Sequence, residues 1–78
     1  MNKQATAFQM TRSEQETENE ANRLTAQIEA ALAAVAMRSP AEEDSLESAA
    51  DRIERAARDL SAALRGLAQE RKANEKEL

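Results

Sequence analysis

The 78-residue sequence has no cysteine, histidine, tryptophan or tyrosine, and only one phenylalanine. Without cysteine or histidine there is no disulfide staple, no thiolate and no imidazole for metal binding or proton transfer. One glycine and one proline leave almost no turn chemistry and no glycine-rich loop to cradle a phosphate. Long apolar runs are missing as well. The longest, Ala30 to Met37, has eight residues, far short of the ~20 that a spanning helix needs. No leader-like segment opens the sequence, so a cytoplasmic protein without membrane association is expected.

What remains is rich in Ala, Glu, Gln, Arg and Leu, a composition that makes long helices. The net charge is −4, from 15 acidic and 11 basic residues spread along the whole chain, which is the pattern of a solvated surface and not of a basic tail for nucleic acid or lipid. A chain this short forms one domain at most, and its core is marginal unless something else adds stability. With staples and metals excluded, oligomerisation is the remaining common route.

The strongest punctuation is Arg38-Ser39-Pro40-Ala41-Glu42. Ser39 suits a helix N-cap, Pro40 the first helical position, and Glu42 the third, closing a capping box. The run before it is also strongly helix-forming, so the connection is short and its neighbours antiparallel. The expected fold is therefore all-α, an antiparallel helical hairpin of two long helices over residues 13–74. Helix 1 spans about 13–38, the turn about 38–40 and helix 2 about 40–74. Residues 1–12 read as a flexible or frayed N-terminal segment and 75–78 as a charged tail. Thr11 with Glu14 and Ser13 with Glu16 are alternative capping boxes for helix 1.

Helix 2 carries a regular seven-residue repeat. Leu46, Ile53, Leu60 and Leu67 occupy position a, Ala49, Ala56 and Ala63 position d, and Ala50, Ala57 and Leu64 position e, a stripe as broad as a bundle face. In helix 1 the matching stripe is Ala21, Leu24, Ile28, Ala31 and Val35, with Leu32 beside it. Folding about Ser39 sets Val35 near Leu46, Leu24 near Ala56 and Ala21 near Leu60. Two features are left unsatisfied. Residues 11–20 contain no apolar side chain, yet they would face Leu60, Ala63, Leu64 and Leu67. The Ala30–Met37 run is apolar around its whole circumference, the mark of a buried helix. Both are met if two hairpins dimerise into a four-helix bundle or coiled-coil assembly, with Leu32, Val35, Met37, Leu60, Ala63, Leu64 and Leu67 at the self-association or partner interface.

Little in the sequence suggests chemistry. Glu14, Glu16, Glu18 and Glu20 alternate, which spreads their carboxylates over more than one helix face. Catalytic, cofactor-binding and metal-ligating residues are not expected, and neither is enzyme activity. Arg58, Arg65 and Lys72 recur at position f and make a candidate nucleic-acid face, but Asp51 continues the line and no aromatic is available to stack on bases. Asp51–Arg55, Glu54–Arg58 and Asp59–Arg52 instead read as helical ion pairs on an exposed surface.

The alternation of Ala and Leu in heptads over roughly residues 13 to 70 resembles the plasmid copy-control hairpins of the Rop type, and is also similar to small type III secretion co-chaperones. The resemblance to the Rop type implies a dimeric four-helix bundle that grips paired RNA loops with one face. The central Phe of such a face has no counterpart here, because Phe8 lies outside the paired region. The function expected is that of a self-associating, non-catalytic interaction, adaptor or regulatory module, of bacterial or plasmid origin and favouring a homodimer. The alternatives are a co-chaperone or small subunit that docks a partner protein's helix, and a Rop-like nucleic-acid binder.

Overall fold

The computed structural model describes residues 10–37 and 42–77. It consists of two helices, α1 (Arg12–Ala36) and α2 (Glu42–Glu77), packed against each other as a hairpin. The turn, with Ser39 and Pro40 of the capping box expected there, lies outside the described residues.

Of the two caps available to α1, Thr11 is the one used. Its hydroxyl accepts from the Glu14 N–H at 3.1 Å, and the Thr11 N–H donates to Glu14 Oε1 at 2.9 Å, so two otherwise orphaned donors are satisfied reciprocally. At the other end Met37 turns extended while its N–H still donates to the carbonyls of Ala33 and Ala34. Helix α2 continues to Glu77, three residues beyond the end expected at Asn74. The residues past Asn74 are charged helix formers, and no glycine or proline stops them. Gly66 sits inside α2 with open space around it.

The chain measures 58 × 32 × 12 Å, a single layer one helix thick. Such a layer buries little: among the described residues only Ala56, 2 % exposed, and Ala34, 9 % exposed, are fully covered. Both are alanines, because small side chains let the helix axes come close. Thr17 marks that closeness, since its hydroxyl donates to Ser13 O at 2.8 Å and lies 3.5 Å from the Ala63 carbonyl on the other helix.

The seam on α2 is the expected heptad apart from Leu46, which is exposed: Ala49, Ile53, Ala56, Leu60, Ala63 and Leu67 are all at least half-covered, and Glu70 continues the line. On α1 the seam differs from the expectation. It runs through Ser13, Thr17, Glu20, Leu24, Gln27, Ala31 and Ala34. Ile28 and Val35, expected in it, are exposed. The register was read correctly, but α1 is rolled about its axis by roughly 50°, half a residue step at 3.6 residues per turn. Its small and polar residues face α2, and its bulky ones lie to one side. Two further expectations change with that roll. The Ala30–Met37 run is buried only at Ala34, because one neighbouring helix covers one side. Leu60 and Leu67 are half-covered within the hairpin itself, opposite Ser13, Thr17 and Glu20.

Candidate association surface

A two-helix layer has two broad faces, and here they differ in kind. One carries shallow grooves along the seam. Near the turn it is lined by Ala30, Ala33 and Met37 of α1 and by Asp44, Ser48 and Arg52 of α2. Farther along come Arg23, Gln27, Arg52, Arg55 and Asp59, then Glu16, Glu20 and Ala62. This face is polar along its middle, whereas its turn end is lined largely by alanines and Met37. The Arg23 guanidinium lies 3.7 Å from Glu20 and 3.9 Å from Asp59 of α2. Those distances make ion pairs without hydrogen bonds, and Glu20 Oε1, shut off from water, has no hydrogen-bond partner.

The remaining flanks of the two helices must share the opposite face. On α1 they carry Ala21, Ile28 and Val35, seven residues apart, with Leu32 beside them. On α2 they carry Leu46, Ala50, Ala57 and Leu64. Leu32 is 65 % exposed and Val35 63 %, and Ile28, Leu46 and Leu64 are exposed as well. A surface rich in bulky apolar side chains on one side of a layer is what soluble monomers rarely present.

The residues expected at an interface therefore fall into three places. Leu32, Val35 and Leu64 lie on the apolar face. Leu60, Ala63 and Leu67 lie in the seam, half-covered by α1. Met37 is exposed but lines the turn-end groove of the other face. Ile28, Leu46, Ala50 and Ala57 join the apolar face although they were not singled out as interface residues. The seven-residue spacing of Ala21, Ile28 and Val35 was the available signal, but it was assigned to the seam.

Arg58, Arg65 and Lys72 are exposed along the outer ridge of α2. The expected pairs Asp51–Arg55, Glu54–Arg58 and Asp59–Arg52 do not close within 4 Å. Among the described residues the pairs formed are Arg12–Glu16, Arg23–Glu20, Arg23–Asp59 and Arg71–Glu14. Exposed partners in water gain too little from contact to hold long side chains in one geometry. The Arg71–Glu14 contact, at 3.0 Å, is the tightest and ties the open end of the hairpin together. The Thr11 backbone N–H, and after it the Arg71 guanidinium, hold the Glu14 carboxyl below the ordinary glutamate range. No group of three or more acidic side chains converges to hold a metal ion among the described residues. None of their helices is long and apolar enough to cross a membrane.

No protein-family model, curated protein or solved structure matches the chain.

Proposed function

We propose that the chain is a non-catalytic interaction module that self-associates through the apolar face, two hairpins stacking layer on layer into a four-helix bundle. The observation that carries this reading is the placement of Ile28, Leu32, Val35, Leu46 and Leu64 together on one broad face, while the bulky apolar side chains of the other face are limited to Met37 at the turn end. Exposed area supports it. A compact monomer of 8.6 kDa exposes about 4,700 Å² by the usual size scaling, whereas this chain exposes 6484 Å². The difference exceeds the roughly 800 Å² per partner of a standard protein interface, so a second layer can be added without unfolding the first. Burying Leu32 and Val35 supplies about 1.5–3 kcal/mol for each side chain fully covered. The adaptor or regulatory role of the cytoplasmic dimer then lies in the surfaces it leaves outside, the grooves and the basic ridge.

Sedimentation equilibrium tests this. The wild-type chain is expected to have the mass of two chains, and Leu32→Asp that of one, because a second layer would bury the new carboxylate without a partner. A wild-type mass of one chain under conditions where circular dichroism finds the helices formed overturns the proposal.

A further inference from the structure

The apolar face is not uniform along its length, and that asymmetry selects how a second copy sits on it. On α1 its bulky members, Ile28, Leu32 and Val35, all lie in the half next to the turn, whereas the same flank at the open end carries Glu14 and Glu18. On α2 the apolar flank runs from Leu46 to Leu64.

Two hairpins can stack face to face about a two-fold axis in two ways. If the axis runs across the helices, the turns lie at opposite ends and α1 covers the partner's α1. With full overlap, Ile28 then lies level with Ala21 of the other copy, Leu32 with Glu18 and Val35 with Glu14. The two most exposed apolar side chains would be set against carboxylates, which are costly to desolvate without new partners. Sliding the copies until only the turn halves overlap avoids this, but leaves Ala57 and Leu64 uncovered.

If the axis runs along the helices, both turns lie at the same end and α1 of each copy covers α2 of the other. The register set by Thr17 opposite Ala63 and Arg23 opposite Asp59 then puts Val35 level with Leu46, Leu32 with Ala50 and Thr25 with Ala57. Large residues meet small or apolar ones along the turn half, as interdigitated packing requires. Two carboxylates oppose apolar residues, Glu18 level with Leu64 and Glu54 level with Ile28, but both stand toward the outer edge of their helices and the two most exposed side chains, Leu32 and Val35, meet Ala50 and Leu46. At the open end Glu14 and Arg71 of one copy come beside the same pair of the other, so opposite charges alternate across the interface.

We infer that the partner is a second copy of this chain stacked with its turn at the same end, α1 upon α2, unlike an arrangement with turns at opposite ends. This rests on the self-association proposed above. The chain has no cysteine, so Lys72→Cys, on the exposed outer ridge near the open end, takes a single nitroxide label. Dipolar spectroscopy on the full-length labelled chain, with its mass measured in parallel, is the test. Turns at one end predict a two-chain mass with the labels within about 30 Å, from helix spacings of 8 to 10 Å. A two-chain mass with labels about 45 Å or more apart, the axial offset of the opposite arrangement at 1.5 Å per residue, overturns the orientation and leaves self-association standing. A one-chain mass with no intermolecular distance overturns both.

Discussion

Near the turn the helices meet through Ala31, Ala34 and Ala49, while at the open end Ser13, Thr17 and Glu20 face Leu60, Ala63 and Leu67. The turn half has the apolar composition, yet it leaves Ile28, Leu32 and Val35 in water. The open half has a wholly polar first arm, yet it half-covers its leucines and adds a capping box and a 3.0 Å Arg71–Glu14 contact. Apolar content and apolar burial are thus separate properties of a helix. A stem of methylenes on Glu20 or the methyl of Thr17 can cover a leucine edge, whereas Leu32 and Val35, pointing off to one side, leave most of their own surface in water.

Substitutions can break or sharpen that contrast. The largest effect is expected from Leu60→Asp, which puts a carboxylate into the seam at the open half. A loss on the order of 3 kcal/mol, read as a lower urea midpoint, is expected, and an unchanged midpoint would mean that this half contributes no core. Leu32→Asp is its counterpart in the turn half. It changes mass, as proposed above, while the hairpin's own packing contributes less than about 0.5 kcal/mol to its effect, since the side chain stands in solvent. Thr11→Ala removes the cap at the open half and is expected to cost about 1 kcal/mol, detectable as reduced helicity confined to the start of α1. The smallest effect is set by pH. Because the folded-state pKa of Glu14 is lowered, its contribution is complete above the ordinary glutamate range and is lost as pH falls through the lowered folded value. Acid titration of stability should therefore be flatter in Glu14→Gln than in the wild type over that window; identical curves would remove Glu14 from the account of the open end.

Much of this fold is legible in the sequence. The heptads of α2 identify its seam from Ala49 to Leu67, because Leu and Ala alternate there, and fail only at Leu46, which lies beside the seam. The antiparallel register follows from a short connection between two helices, and Thr11 with Glu14 follows from capping chemistry. The roll of α1 is not legible in the same way. Hydrophobic periodicity locates an apolar arc on a helix, but it does not say which neighbour each part of the arc meets. Leu24 and Ala31 belong both to the arc and to the seam, so the pattern is consistent with either orientation. Ser13, Thr17, Glu20 and Gln27 form a stripe at the correct spacing for packing, but their polarity hides it. The candidate surface was accordingly found in part: Leu32, Val35 and Leu64 were recognised, while Ile28 and Leu46 were placed in the seam.

The thinness of the layer has a calorimetric consequence. An unfolded chain of this mass exposes about 12,500 Å², so folding to 6484 Å² hides only about half of it, less than the ~60 % of a compact small domain. Heat capacity change and denaturant slope both scale with the surface released on unfolding. The single hairpin should therefore melt over a broad temperature range with a shallow urea dependence. Any steepening of either curve measures surface that the chain has hidden somewhere other than between its own two helices.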